Sequence, residues 1–513
     1  MLLRLVHLLM PGGPFGFNLD PGVYYGGAGL LITGHRPYGD FALLHPPGIL
    51  LVLAPIAWLG EHVIGHASAF VMAAALSAVA AGGTIFGIGR LASRWRGPGA
   101  GIGAALLYAT FIPAVASEGD VLLEPFVNVL FVAAALSWLA PWSPAAGRRR
   151  LFVTGGLVAF TALVKLTGTV AGFGCLVSGP FRRPWIDRAI LVACAGLVGL
   201  LIVAPFAIGA GGDRFFGQVV ATQLGRPPGA GGPADEGNLG DPGARLLSML
   251  GIGPLGLLTV AGPAGAGSPF AVALLAPALL IIGWAWLRGD APGRFWSATW
   301  IFSAALLLAA PSYFIRYPST LMVSTAVLLG AAAAALFDVV RRRAGSRPTG
   351  LARTALAGSI GVAILALVLP TVAVVTAREI VSYPRADAGA TIRELVPPDA
   401  CVYADPPSLN IAAGRLPPGG TAEPLADPFG EPLWLALRSS GASGGYASIE
   451  NALWSAPAQD RMRRALVACP FIALARPIAQ QRWLSPATRA WLAERVDQIV
   501  APTGGGVGLW RRR

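Results

Sequence analysis

The run LFVTGGLVAFTALVKLTGTVAGFGCLVSG, residues 151–179, carries a single charged residue, Lys165, near its middle. It is too long for one untilted crossing of a bilayer, which takes about 20 apolar residues. An ammonium group is costly inside lipid, so Lys165 belongs at an interface. The run therefore predicts a hairpin of two short helices, about 151–164 and 167–180, with Lys165 at the tip. Arg148, Arg149 and Arg150 precede the hairpin, and Arg182, Arg183 and Arg188 follow it. Positive residues beside spans mark the cytoplasmic side, which places Lys165 on the outer face.

Working outward, further apolar stretches of spanning length lie at about 67–89, 99–117, 122–141, 189–210, 269–287, 295–311, 319–339 and 354–376. With the hairpin these make ten spans. Basic clusters at 90–96, 148–150, 182–188, 288–294 and 341–353 fall at every second boundary and hold sixteen arginines. The alternate loops hold six basic residues: Arg36, Lys165, Arg214, Arg226, Arg245 and Arg316. This alternation requires residues 11–66 to be outside and the N-terminus inside. A first crossing by residues 1–10 is then needed, giving an eleventh span, shorter than a full one. MLLRLVHLLM has no small-residue cleavage site and does not read as a cleaved signal peptide.

Composition agrees. Hydrophobic residues are 55% of the 513, charged residues 12%, and mean hydropathy is +0.64. A soluble globular protein carries about 25% charge, so a cytosolic enzyme, a disordered chain and a coiled coil are excluded. The net charge of +13 lies mainly in the cytoplasmic loops, so it is a topology signal and not a nucleic-acid footprint. The dominance of Arg, Ala and Gly fits a GC-rich bacterial source.

Two regions are not spans. In the first outer loop, 11–66, HPPGILLVLAPIAWLG reads as a Pro-started helix at the outer interface. Residues 211–268 form a second outer segment, rich in Gly and Pro. After Ala377 the sequence becomes charged and turn-rich. Short β-like runs at 400–405, 471–475 and 506–510 alternate with the helical patterns ADAGATIRELV and SPATRAWLAERV. The expected fold is an all-α polytopic membrane body, residues 1–376, followed by a small extracytoplasmic α/β domain, 377–513. Cys401 and Cys469 both fall in that domain, and their residue types fit a disulfide as well as two buried thiols. The four cysteines include no CxxC pair and point to no zinc or redox site.

The outer loops concentrate the chemistry. Asp20 follows the first crossing in FNLDPGVYY, with Tyr24 and Tyr25 beside it, and Asp40 sits in GHRPYGDFALLHPPG between His35 and His45. Glu118, Asp120 and Glu124 share the short turn ASEGDVLLEPF, and Glu124 already stands in apolar sequence, where an ionisable group is functional by default. Lys165 is the sole lysine among 38 basic residues, a choice that fits a need for a compact ammonium. Arg316, in PSYFIRYPS, is a second outer cation. None of the five histidines has the spacing of a metal helix. No metal site is expected from the residues, and a divalent cation is left as an open alternative that nothing in them supports.

Carboxylates and cations on one face of a membrane body suit transfer of a sugar from a polyprenyl phosphate. The phosphate is already a good leaving group, so the step needs cations on it and a carboxylate to take the acceptor's proton. Lys165 and Arg316 fit the first role and Asp20 the second. A transporter or flippase of a lipid-linked or anionic solute is the alternative, although such proteins place ionisable groups at the midplane and show internal repeats, neither visible here. A non-catalytic scaffold is a third reading and predicts tolerance of changes at Asp20 and Lys165.

The order LDPGVYYGGAGLLITGHRPYGDFALLHPPG, an acidic outer turn, a Lys hairpin and FIRYPS resembles the GT-C superfamily of polyprenyl-phosphate-sugar glycosyltransferases, including its protein mannosyltransferase and aminoarabinose transferase branch. The C-terminal course, ending in VGLWRRR, is similar to the small outer domain of bacterial members. The resemblance implies an inverting transferase at the outer face of the plasma membrane. It would take a polyprenyl-phosphate-linked sugar as donor and a glycan, lipid or protein as acceptor. It further implies Asp20 as base and Glu124 as its support; the outer-loop residues Tyr24, Tyr25, Asp40, His45, Glu118 and Asp120 are, on their position alone, weaker candidates for substrate contacts. Many members carry Asp-Glu at the first site; here Pro21 follows Asp20.

Overall fold

The computed structural model describes residues 4–5, 14–15, 18–140, 144–179, 184–227, 242–249, 269–314, 316–343, 387–418, 425–440, 446–502 and 507–513. The expected span at 354–376, most of the short N-terminal crossing and the Gly/Pro-rich stretch 228–241 lie outside them.

The body is helical: α1 (Leu19–Ile32), α2 (Gly48–Leu59), α3 (His66–Arg96), α4 (Pro98–Ala109), α5 (Ile112–Glu118), α6 (Glu124–Trp138), α7 (Pro144–Val164), α8 (Val170–Ser178), α9 (Pro184–Ala210), α10 (Pro269–Leu287), α11 (Ala291–Ala309) and α12 (Pro318–Arg343). Among the described residues, three helices are long and apolar enough to cross a membrane by themselves: His66–Arg96, Trp185–Ala210 and Pro318–Val339. The pair α4 and α5, bent by 66°, makes a fourth as one broken span. Shorter apolar helices complete the bundle, among them α6 and α8. Phe86, Leu200, Ile208, Leu280 and Leu336 stand exposed on these helices, Ile208 at 82%. A surface this apolar is a liability in water and is what lipid requires. The chain is an all-α polytopic membrane protein with a small C-terminal α/β unit.

Lipid gives apolar helices no reason to bury Leu against Leu, so close packing of small residues holds them together. A Cβ on Gly101 of α4 would lie 2.4 Å from the Gly89 carbonyl of α3, and one on Gly330 of α12 would lie 2.6 Å from the Ala100 carbonyl. These approaches bring α3, α4 and α12 into one packed group. The predicted hairpin is present: α7 ends at Val164, a 3-10 turn covers Leu166–Thr169, and α8 starts at Val170. Gly168 presses against the Thr161 carbonyl, where a Cβ would meet the oxygen at 2.4 Å, so the turn folds tightly back on α7.

The C-terminal unit is a four-stranded sheet in the order β1 (Val402–Asp405), β2 (Phe471–Leu474), β4 (Gly508–Arg512), β3 (Val496–Val500). β1 and β2 are parallel, with Val402 opposite Phe471; β4 runs antiparallel to both β2 and β3. A parallel pair needs a long crossover, here made by helices that include α13 (Ser408–Ala412), α14 (Gly430–Ser440) and α15 (Ala456–Ala468). Cys401 and Cys469, just before β1 and β2, are joined as a disulfide, resolving the choice that their sequence left open. β3 was not among the expected strands. It is an edge strand with Asp497, Gln498 and Ile499 exposed, so it lacks an apolar alternation.

The C-terminal unit sits directly on α1. Gly22, Gly26 and Gly29 line one side of that helix, and Cβ atoms there would strike the Ser408 nitrogen at 2.4 Å, Pro417 at 2.5 Å and Leu416 at 2.2 Å. The small-residue stripe GVYYGGAG thus lets α13 and the segment after it touch the α1 backbone. That docking closes the roof of a cavity above the ends of α1 and α6.

Candidate active site

Each candidate charge stands at a break in regular structure. Asp20 occupies the first turn of α1 and Glu124 the first turn of α6, where a helix N-terminus favours an anion. Pro21 and Pro125 follow them, and proline is tolerated in a first turn because the missing N–H has no partner there. Lys165 sits in extended conformation between α7 and the 3-10 turn. Arg316 lies in the connection between α11 and α12.

These four residues meet at one cavity of about 290 Å³, which Tyr24, His45, Arg226 and Tyr317 also line. Lys165 Nζ donates to Glu124 Oε1 at 2.8 Å. Arg316 Nε stands 4.0 Å from the same oxygen, while Arg316 Nη2 pairs with Asp20 Oδ2. The charges alternate: Asp20, Arg316, Glu124, Lys165. Lys165 Nζ also lies 4.1 Å from the Tyr317 ring centroid, a cation–π contact. The His45 ring meets Tyr24 edge-on at 5.6 Å. Burial first, and Lys165 next, push His45 down to about 3.

The roof comes from the C-terminal unit: Asp405, Asp427, Phe429, Glu450, Arg476, Gln480, Gln481, Arg482 and Trp483 line the same cavity. Asp405 ends β1, and Asp427 Oδ1 accepts the backbone N–H groups of Phe429 and Gly430 at 3.1 and 2.6 Å. None of these residues carries a motif. They reach the site only because α1 is flat enough to dock α13, so only the glycine stripe hinted at them. Arg226 stood out in sequence as an outer basic residue, but nothing marked it as part of the site. Its Nε is buried without a hydrogen-bond partner among the described residues.

Four sequence candidates do not line this cavity. Asp40 pairs with Arg36 at 2.8 Å on the surface, and the Arg36 hydrogen bonds hold its carboxyl below the usual range. Glu118 is fully buried elsewhere: Arg4 Nε donates to it at 2.8 Å and Tyr108 OH at 2.5 Å. Asn128 joins that network and accepts from Thr320 at 2.8 Å, tying α6 to α12. Asp120 Oδ1 accepts the Val121 N–H at 2.8 Å, shaping the turn before α6. Tyr25 points to the opposite side of α1 from Tyr24, its hydroxyl 3.2 Å from His66 Nδ1. Neighbours in the sequence diverge because a helix turns successive side chains by roughly 100°.

Among the described residues no three His, Cys, Asp or Glu side chains converge to hold a metal ion. In the cavity floor both carboxylates already face cations, so the donor set is that of an ion-pair chain.

No protein-family model and no curated protein sequence matches the chain. Solved structures do. ArnT from Cupriavidus metallidurans in the apo state superposes with a TM-score of 0.59 at 14% identity, over 99% of this chain and 95% of that one. The same protein bound to undecaprenyl phosphate gives 0.56 at 13%, over 99% and 96%. The archaeal oligosaccharyltransferase AglB from Archaeoglobus fulgidus, in complex with an inhibitory peptide and a dolichol-phosphate, gives 0.55 at 14%, over 100% and 73%. With its length matched almost end to end, the chain shares the fold of ArnT.

Proposed function

We propose that the chain is an integral-membrane inverting glycosyltransferase that moves a sugar from a polyprenyl phosphate to an acceptor hydroxyl at the outer face of the plasma membrane. The observation that carries this reading is the chain of alternating charges Asp20, Arg316, Glu124, Lys165 in one cavity. A phosphate entering the cavity competes with Asp20 and Glu124 for Arg316 and Lys165. The cations then stabilise the charge that develops on the departing phosphate. Asp20, released from Arg316, is the carboxylate left to accept the acceptor's proton, and Glu124 holds Lys165 in place. Inversion follows from direct attack on the anomeric carbon, on the face opposite the phosphate. The donor class draws support from the undecaprenyl phosphate and dolichol-phosphate bound by the two structurally similar proteins.

In this reading the N-terminus is cytoplasmic and the C-terminal unit extracytoplasmic, as the arginine distribution requires. The test is to incubate the purified protein, in nanodiscs, with a panel of polyprenyl-phosphate sugars and follow release of the free polyprenyl phosphate. Consumption of one or more donors is expected; movement of the lipid-linked sugar across a bilayer without its consumption would overturn the reading in favour of a flippase.

A further inference from the structure

The cavity is divided between two chemistries. Its floor holds the cations and their carboxylates, while its roof carries two carboxyl groups that no protein donor saturates. Asp405 and Asp427 are 9% and 8% exposed. The Asp405 carboxyl has no hydrogen-bond partner among the described residues, and Asp427 uses Oδ1 on two backbone N–H groups and leaves Oδ2 free. Both groups line the cavity, so their unpaired oxygens are open to a ligand that enters it. Burial raises Asp405 to about 6 and Asp427 to about 7, outweighing the opposing pull of Arg476 on the first and of Arg226 and two backbone N–H groups on the second. Beside them Trp483 and Phe429 meet edge-to-face at 5.0 Å, and both also line the cavity.

Unsaturated carboxyls next to an indole fit a molecule with several hydroxyls around an apolar ring face. Hydroxyls donate to carboxyl oxygens, and the C–H face of a pyranose or furanose packs on an aromatic plane. We infer that the acceptor is a carbohydrate, bound at the roof with its hydroxyls on Asp405 and Asp427 and its ring against Trp483, so that one hydroxyl reaches down to Asp20. This rests on the glycosyltransferase reading and names the acceptor class for it. The transfer balances without a further reactant: the acceptor oxygen bonds to the anomeric carbon, the carbon–phosphate oxygen bond breaks, and the acceptor's proton passes to Asp20.

The experiment uses the full chain in nanodiscs with the donor that it consumes and three acceptors: a neutral hexose oligosaccharide, a Ser/Thr-containing peptide and a long-chain alcohol. The oligosaccharide is expected to be glycosylated. Asp405→Asn and Asp427→Asn each replace one carboxyl oxygen with a donor, and each should raise the oligosaccharide KM about tenfold or more, the loss of one hydrogen bond to an acidic group. The donor KM should stay within about twofold. Trp483→Ala should raise the oligosaccharide KM similarly and Trp483→Phe should recover most of the loss, a rescue that separates ring stacking from collapse of the domain. Transfer to the peptide or alcohol with the oligosaccharide inert overturns the inference alone. So does an unchanged oligosaccharide KM in Trp483→Ala and both Asn variants. If the wild-type protein consumes no donor of the panel, the glycosyltransferase reading itself fails and takes the inference with it.

Discussion

Replacing Lys165 by Met tests the ion-pair chain on which the site depends. Lys165 and Glu124 are 2.8 Å apart, and their side chains are 11% and 3% exposed. Removing one partner of a buried pair costs about 3–5 kcal/mol, because the other charge stays buried without compensation. Arg316 Nε, 4.0 Å from Glu124 Oε1, still offers partial compensation, so the cost should fall at the lower end, about 3 kcal/mol. Glu124→Gln should cost a similar amount by leaving Lys165 unpaired. The double variant removes both charges together. Replacing a buried pair by neutral groups is close to neutral, so it should lie within about 1 kcal/mol of the wild type, far from the sum of about 6. Detergent-micelle unfolding titrations on the four proteins measure this cycle. Activity should not recover with stability: with Arg316 left as the one cation of the pair on the leaving phosphate, donor consumption should stay about 10²–10³-fold down in the double variant. Additive stability losses would refute the pairing, and restored turnover would refute the role of Lys165.

Three further predictions follow from other parts of the structure. The Cys401–Cys469 bond spans 68 residues of chain, and a loop of that size corresponds to about 4 kcal/mol of unfolded-state entropy; Cys401→Ser/Cys469→Ser should lower the unfolding free energy of the C-terminal unit by about that amount, and no change on removal would contradict the estimate. Asp427, raised by burial to about 7, is destabilising once ionised: its folded value lies above its unfolded value near 3.9, so stability should fall as pH rises from about 4 through 7. Asp427→Asn should therefore match the wild type near pH 4 and exceed it at pH 8 by up to about 4 kcal/mol, read from a pH series of unfolding curves; an offset independent of pH would contradict this. A Cβ on Gly22 would meet the Ser408 nitrogen at 2.4 Å and the Pro407 carbonyl carbon at 2.9 Å, so Gly22→Val should lift the C-terminal unit from α1 and expose the segment near Ser408 to limited proteolysis, with an unchanged cleavage pattern as the contrary result.

Much of the membrane body was legible because lipid imposes strong rules on sequence. A lone lysine inside a long apolar run had to mark a turn, and the break at Lys165 is where it was expected. Arginine at alternate boundaries gave the orientation, which stays a proposal. The floor of the cavity was legible for the same reason: Glu124 and Lys165 are charges in apolar surroundings and need each other. Spacing could not tell which carboxylates of a shared loop point inward. Glu118 lies six residues before Glu124, yet α5 carries it into the Arg4 and Tyr108 network. The roof was illegible. Asp405 and Asp427 stand about 400 residues after Asp20, and what brings them over it is backbone contact through Gly22 and Gly26. β3 escaped because an exposed edge strand carries polar residues on its sequence and needs no apolar face.

The central claim is that Asp20 acts as the base for sugar transfer from a polyprenyl phosphate held by Lys165 and Arg316. Its most direct test is single-turnover transfer by Asp20→Asn in nanodiscs, with binding of the polyprenyl-phosphate sugar measured on the same preparation. Asparagine keeps the shape and loses the proton acceptor, so transfer should fall about 10²–10⁴-fold while the donor still binds as tightly as in the wild type, or more tightly for want of a competing carboxylate on Arg316. Transfer at the wild-type rate with donor binding intact would contradict the account.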